Sequence, residues 1–271
     1  MRGILRTMLA FALRDWRIRC QYRMGFLITV GQIVFTMAMF FFVAQLVDLD
    51  RAASLRAYGG DYFPFVVLGL VGSQYLSASL SAIGGTLRDE QLQGTLEAML
   101  TSPTPSWVLL LGGSAFELAW ATVEAGLYLG IGRLLFGLEL SRMNLAAALV
   151  LVVFAMAALS SPGVLAASGV LLFRGMDPFN WVLGGMMKLV GGAYFPVALL
   201  PAGLQALAKC FPLTYALEGL RQAVLMGRPL EELWDVCLTL GAFAIVLWPL
   251  ALFGFSWTLR RLKTTGALSF R

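Results

Sequence analysis

The stretch from Glu90 to Pro103, EQLQGTLEAMLTSP, is a polar interruption between two long apolar runs. Its apolar residues 92, 96, 99 and 100 recur at helical spacing and form one stripe, while polar residues take the other faces. Pro103 and Pro105 end the pattern. The sequence therefore predicts a short amphipathic helix over residues 88–103. Such a helix between membrane spans either lies flat on the bilayer or docks into another protein.

The composition excludes an ordinary soluble domain. Of the 271 residues, 59% are hydrophobic and only 13% are charged, whereas soluble domains carry about 25% charged residues. The chain has no histidine, and its three cysteines match no metal-binding spacing. We therefore expect an integral membrane protein with no metal site and no catalytic residues. The net charge of +5 comes largely from basic residues near the chain ends, so we expect no binding to nucleic acid.

Six apolar stretches predict an all-α integral membrane protein with six transmembrane helices, formed by a single transmembrane domain over residues 1–271. They cover residues 25–47, 62–84, 107–138, 144–173, 179–196 and 233–257. The third and the fourth exceed the bilayer thickness and must tilt or break. Ser160-Ser161-Pro162-Gly163 is the expected break in the fourth span, and Pro249 is the expected kink in the sixth.

Arginines mark the orientation of the chain. Residues 1–24 carry six of them, and an apolar stripe that includes Trp16 runs at helical spacing. This pattern predicts an N-terminal amphipathic helix that lies in the membrane interface. The C-terminal tail holds Arg260, Arg261, Lys263 and Arg271. Because basic residues favour the cytoplasmic side, both termini of this multi-pass protein are predicted to be cytoplasmic.

A segment between the last two predicted spans, residues 197–230, is too interrupted to cross the membrane. Residues 201–211 form a moderately apolar helix, and Thr214 is expected to cap a second helix over residues 215–226, closed by Gly227. Two half-helices of this kind predict a re-entrant hairpin in the outer leaflet, which protein or a wet cavity must shield.

The Glu90–Pro103 stretch resembles a signature of the type-2 ABC exporter permeases, in which it follows the second membrane helix. The shared elements are Glu90, Gly94-Thr95-Leu96-Glu97, Met99-Leu100 and Ser102-Pro103. A second similarity to the same family covers Tyr194-Phe195-Pro196, Leu200-Pro201 and the run from Pro212 to Arg221. Leu92 departs from the family, since many relatives carry a second charge there. With both motifs in place, the resemblance extends over essentially the whole chain.

The resemblance implies that residues 88–103 form a cytoplasmic coupling helix, seated in a groove of a separate ATPase. The residues it implies for ATPase coupling are Glu90, Leu92, Gly94, Thr95, Leu96, Glu97 and Leu100. It also implies a second copy of this chain, two ATPase subunits, and a bacterial or archaeal cytoplasmic (inner) membrane. The sequence contains no Gly-x-x-x-x-Gly-Lys-Ser/Thr phosphate loop. We therefore expect that the chain is not itself an enzyme, that it binds no cofactor, and that ATP and Mg²⁺ bind to the partner ATPase.

Polar residues inside the spans are candidates for a translocation path. They are Ser73, Gln74, Ser77 and Ser81 in the second span, Glu117 in the third and Lys188 in the fifth. The three serines recur every four residues and form one stripe, which either lines a path or permits close helix packing. The family resemblance favours lining, since the second and fifth helices flank the central path there.

Two acidic residues, Glu117 and Glu124, lie on one face of the third span. An acid at the bilayer centre costs about 2.5–3.5 kcal/mol on insertion scales, so both are expected to face protein or a cavity. We predict that Glu117 pairs with Lys188, which sits at a similar depth. Such a pair either fastens helices or acts in transport.

Small and aromatic residues give two further candidate sites. Gly184, Gly185, Gly191 and Gly192 permit close helix approach, either in a homodimer interface or within one protomer. For an outer gate, the resemblance implies Tyr194, Pro196, Pro212, Tyr215, Glu218 and Arg221. Glu218 and Arg221 lie one turn apart, and a surface salt bridge between them is the simpler alternative.

Together these patterns predict the transmembrane subunit of an ATP-driven ABC exporter. Because the inferred path is narrow, mostly apolar and sparsely charged, the expected substrate is an amphipathic, lipid-like or drug-like molecule. Two alternatives remain open. One is export of a lipid-linked polysaccharide, and the other is a non-transporting membrane partner of an ATPase. The expected partners are the ATPase, a second copy of the chain and membrane lipids.

Overall fold

The computed structural model describes residues 23–46, 60–92, 106–172 and 178–265, together with positions 55 and 58. The described chain is helical, and no strand occurs in these ranges. The helices are α1 (Arg23–Leu46), α2 (Tyr62–Leu92), α3 (Ser106–Phe136), α4 (Leu145–Leu172), α5 (Pro178–Val190), α6 (Ala202–Ala208), α7 (Pro212–Val224) and α8 (Trp234–Thr265). Short 3₁₀ turns occupy Val197–Leu199 and Leu230–Leu233. The all-α prediction is confirmed over these residues.

Within the described residues, four helices are long and apolar enough to cross a membrane. Their spans are Met24–Leu46, Tyr62–Ala82, Leu145–Gly169 and Leu230–Thr258. They correspond to the first, second, fourth and sixth predicted spans. Helix α3 covers the third predicted span with 31 residues, about 46 Å at 1.5 Å per residue. A total of six transmembrane helices stays a prediction.

The fifth predicted span is shorter in the structure than in the sequence prediction. Helix α5 has 13 residues and ends at Val190, so it extends only about 20 Å. The predicted span continued to Pro196. Gly192 adopts a positive φ of 85° and turns the chain directly after the helix. A side chain there would be strained, because L-residues other than Gly rarely adopt this conformation.

Helix α4 is continuous through the Ser-Ser-Pro-Gly sequence, so the predicted break is wrong. Pro162 lies inside the helix and has no N–H to donate to the carbonyl four residues earlier. The Ser161 hydroxyl donates to that carbonyl, on Ala158, at 2.8 Å. The Ser160 hydroxyl likewise donates to Met156 O at 2.6 Å. These side-chain bonds satisfy backbone oxygens in an environment without water.

Helix α2 is the central element of the bundle. It packs against α1, α3, α4, α5 and α7, and most of its spanning part is buried. The approach to α4 is close enough that a Cβ on Gly163 would lie 2.0 Å from the Ser79 carbonyl oxygen. Helices α1 and α8 lie outside and expose large apolar side chains, such as Phe35 and Phe253. This distribution suits a protein whose outer surface meets lipid.

The described end of α2 corrects one boundary of the predicted coupling helix. The backbone remains helical without interruption from Tyr62 through Glu90 to Leu92. Residues 88–92 therefore continue the spanning helix and do not begin a separate one. The rest of the predicted coupling helix, including Gly94, Thr95, Leu96, Glu97 and Leu100, lies outside the described residues. The interfacial helix predicted for residues 1–24 lies outside them as well, except for its last two residues, which begin α1.

The predicted hairpin over residues 197–230 contains two short helices, α6 and α7, as expected. Helix α7 begins at Pro212 and not after Thr214, because proline suits the first helical position, where no N–H partner is needed. The predicted cap is wrong, since the Thr214 hydroxyl donates to Ala208 O at 2.8 Å and ties the two helices together. Gly227 follows with φ 69°. Helix α7 is largely buried against α2, α4 and α8, which is the protein shield that a re-entrant segment requires.

Candidate functional site

A groove of about 690 Å³ lies between α2 and α5. Its polar lining residues are Ser77, Ser81 and Lys188. The remaining lining is apolar or small and consists of Leu80, Trp181, Val182, Gly184, Gly185 and Met186. Trp181 is 83% exposed at the groove, so the groove opens onto the outside of the protomer. The structure thus brings two of the predicted path serines and the predicted path lysine to one surface.

Lys188 forms its hydrogen bond inside this groove and not with Glu117, its predicted partner. Its ammonium donates a hydrogen bond to the Ser77 hydroxyl at 2.8 Å. Helix α5 packs against α2, α4 and α6, whereas Glu117 lies on α3. Among the described residues the predicted Glu117–Lys188 ion pair is not formed, and Lys188 bonds to Ser77 instead.

Gln74, another predicted path residue of α2, contacts α3. Gln74 Nε2 donates to the Glu124 carboxylate, and Trp120 Nε1 donates to the other oxygen of the same carboxylate at 2.7 Å. Glu124 is buried, as predicted, and Glu117 is half-buried. Ser73 is buried as well, and its hydroxyl has no hydrogen-bond partner within the described part of the chain. In this protomer, Gln74 therefore belongs to the α2–α3 contact, and neither Ser73 nor Gln74 lines the groove.

The four glycines predicted at a dimer interface occupy two different environments. Gly191 is buried against Leu213. A Cβ on Gly191 would lie 3.3 Å from a methyl carbon of the Leu213 side chain. Gly192 makes the turn after α5. Both are accounted for within one protomer, which is the alternative left open by the sequence. Gly184 packs on Leu80 and Gly185 is exposed in the groove, so an interface role stays a prediction for these two.

Arg221 is the most buried charged side chain of the hairpin, with 3% of its surface exposed. Its guanidinium donates to the backbone carbonyls of Phe65 at 3.3 Å, Gly192 at 2.8 Å and Ala193 at 3.3 Å. It also lies 3.4 Å from the centre of the Phe65 ring. The surface salt bridge considered for Arg221 is therefore wrong. Instead, the side chain joins α7 to α2 and to the turn that follows α5.

Glu218 binds different partners from Arg221. Its carboxylate accepts a hydrogen bond from the Tyr58 hydroxyl and another from Gln222 Nε2 at 2.7 Å. Burial and the bond to Glu218 raise the pKa of Tyr58 well above its usual value, so the phenol stays protonated and acts as a donor. Sequence reasoning missed both Tyr58 and Phe65, since neither has a motif that links it to α7. We call Tyr58, Phe65, Glu218, Arg221 and Gln222 the Arg221 cluster.

Comparison with known proteins assigns the family. The sequence profile of the ABC-2 type transporter family matches residues 8–225. The chain belongs to this family. It is also similar to Nodulation protein J of Rhizobium meliloti (strain 1021), at 27% identity over 184 residues, or 65% of this chain and 66% of the relative. Nodulation protein J of Rhizobium leguminosarum bv. viciae is 27% identical over 200 residues, or 71% and 72% of the two chains.

Family membership confirms several general predictions. As an ABC-2 type transporter permease, the chain is a multi-pass membrane protein of a transport system. Members of this family are transmembrane subunits, and membership implies an ABC ATPase partner in general.

The remaining gate candidates of this ABC-2 permease lie in two places. The Tyr194 carbonyl accepts a hydrogen bond from the Tyr62 hydroxyl at 3.0 Å, and its ring stacks on Phe40 at 5.9 Å. The Tyr215 hydroxyl donates to Lys209 O at 3.2 Å within the hairpin. Pro196 and Pro212 are both buried. The contacts bind these residues to α1, α2 and α6, and a gating role for them stays a prediction.

Proposed function

We propose that this chain is the membrane subunit of an ATP-driven exporter, paired with a second copy of itself and with two separate ATPase subunits. ATP-driven closure of the ATPases pushes the Glu90–Pro103 segment, and helices about the two-fold axis shift to expose the path alternately. The chain itself carries out no covalent chemistry. Its termini face the cytoplasm of a bacterial or archaeal cell.

The groove between α2 and α5 carries this proposal. Helix α2 continues through Glu90 to Leu92, so the groove and the beginning of the coupling segment belong to the same helix. A push at that end of α2 is transmitted along a continuous helix to Ser77 and Ser81. Two glycines of α5 lie at the groove, and small residues let helix backbones approach closely. The groove is therefore placed to change shape with the state of the ATPase.

The groove lining fits an amphipathic cargo. Trp181, Val182 and Met186 offer exposed apolar surface, and Ser77, Ser81 and Lys188 offer hydrogen-bond donors at the same place. A lipid-like or drug-like molecule has both kinds of surface. A lipid-linked polysaccharide is the alternative cargo. Its lipid portion would lie in the groove, and its sugars would extend from the groove.

Accessibility of the groove tests the proposal without a known substrate. In a background with Cys20, Cys210 and Cys237 replaced by Ala, Ser81→Cys is introduced and its rate of maleimide labelling is measured in the complex with the ATPase. We expect several-fold different rates with ATP plus vanadate and without nucleotide. Glu139→Cys, on the exposed connection between α3 and α4, is the matched control and should label equally in both states. Equal rates for Ser81→Cys would contradict a groove that changes during the ATP cycle.

A further inference from the structure

Lys188 places a positive charge in a groove whose other walls are mostly apolar. Its side chain is half-buried, and its ammonium has three N–H donors. One of these donates to the Ser77 hydroxyl. Over the described residues, no carboxylate forms an ion pair with this ammonium. A neutral hydroxyl is thus the partner that the structure gives to this charge.

An ammonium at membrane depth is costly unless an opposite charge or several polar atoms surround it. Lys188 lies ten residues after the start of α5, about 15 Å along the helix axis. The Ser77 bond holds the side chain in one position, while the groove gives the remaining donors room for a ligand. The Ser81 hydroxyl lies one helical turn from Ser77 on the same groove wall.

We propose that Lys188, positioned by Ser77, binds the anionic head group of a phosphate-bearing, lipid-like molecule. The idea that this molecule is the transported cargo rests on the proposed function, whereas binding itself does not. Charge complementarity favours an anion, and the neighbouring apolar side chains favour a ligand with a hydrocarbon part. Trp181, Val182 and Met186 flank the charge and are exposed, so they contact the hydrocarbon part while Lys188 contacts the head group. Inorganic phosphate lacks that second contact.

Photoreactive lipids test the binding on the full chain in neutral detergent, without the ATPase. The probes are phosphatidic acid and diacylglycerol that carry the same diazirine chain, and labelled peptides of α2 and α5 are quantified. Phosphatidic acid is expected to label these peptides in the wild type well above diacylglycerol. Lys188→Gln is expected to lower this labelling about tenfold, because a charge-assisted bond is lost. Lys188→Arg keeps the charge and should retain most of the labelling.

Lys209→Gln is the matched control, since Lys209 is an exposed lysine at the end of α6. It should label like the wild type. Equal labelling by phosphatidic acid and diacylglycerol in the wild type would overturn the proposal, whether or not Lys188→Gln folds. Unchanged labelling in Lys188→Gln would overturn it as well, and competition by inorganic phosphate alone would overturn the lipid ligand. Because no ATPase is present, this experiment tests lipid binding alone. A failure of lipid binding is therefore distinguishable from a failure of the proposed ATP-driven export.

Discussion

Replacement of Arg221 by methionine is expected to destabilise the folded permease by at least about 1.5–3 kcal/mol, the usual contribution of a hydrogen bond to a charged group. The change removes the donor that serves the carbonyls of Phe65, Gly192 and Ala193. These carbonyls belong to α2 and to the turn after α5, so the hairpin loses its main polar attachment to both. The effect is measured as the melting temperature of the purified chain in detergent, with a fluorescence assay that does not depend on cysteine labelling.

Two further variants sharpen the Arg221 experiment. Arg221→Lys keeps the charge but lacks the planar fork of donors, so its stability should lie between those of the wild type and Arg221→Met. Arg142→Gln is the control, because Arg142 is exposed on the connection between α3 and α4 and lies outside the Arg221 cluster. Exposed charges contribute little, and this variant should melt like the wild type. Equal melting of Arg221→Met and Arg142→Gln would contradict the role assigned to Arg221.

Gly69→Ala is expected to cost at least about 2 kcal/mol of stability, since overpacking a close contact typically costs 1–3 kcal/mol or more. A Cβ on Gly69 would lie 1.7 Å from the carbonyl oxygen of Ala193. That oxygen also accepts a bond from Arg221, so the turn cannot move away from α2 without weakening the Arg221 cluster. Chemical denaturation in mixed micelles, or the fraction of monodisperse protein after extraction, measures the loss.

Gly130→Ala is the matched control for Gly69→Ala. Gly130 is also a mid-helix glycine, but no atom lies within 4 Å of the position its Cβ would take. Alanine there should leave stability unchanged or raise it by up to about 1 kcal/mol, the difference in helix propensity. If both alanine variants behave alike, the close approach of α2 to the turn is not a constraint on the fold.

Hydropathy sufficed to locate helices α1, α2, α4 and α8, because long apolar runs have few alternatives to a spanning helix. The same reasoning overextended α5 to Pro196. Ala193 is apolar and buried, which makes it look like part of a membrane span. It is buried by α2 and α7, however, and hydropathy does not distinguish burial in protein from burial in lipid. The turn at Gly192 was visible in the sequence only as one member of a Gly-Gly pair, which we assigned to helix packing.

The sequence predicted which residues belong to the candidate site, but only partly which of them contact one another. The spacing of Ser77 and Ser81 placed both on one face of α2, and the structure places them with Lys188 in the groove. The partner of Lys188 depends on which helices are neighbours, and a single sequence does not contain that information. Arg221 was predicted at the hairpin, but its partners are backbone carbonyls of distant segments. Because backbone carbonyls occur at every position, no pattern of side chains in the sequence predicts such a bond.

Co-purification with the ATPase encoded beside this chain tests most directly whether the chain is the membrane half of an ABC exporter. The wild type is compared with a variant that combines Leu96→Asp and Glu97→Arg in the coupling segment. The control combines Leu199→Asp and Glu231→Arg, which changes the same two residue types at exposed positions before α6 and after α7. The wild type and the control are expected to retain the ATPase, and the coupling variant is expected to insert normally and lose it. Failure of the wild type to retain the ATPase, or its retention by the coupling variant, would contradict the proposed coupling.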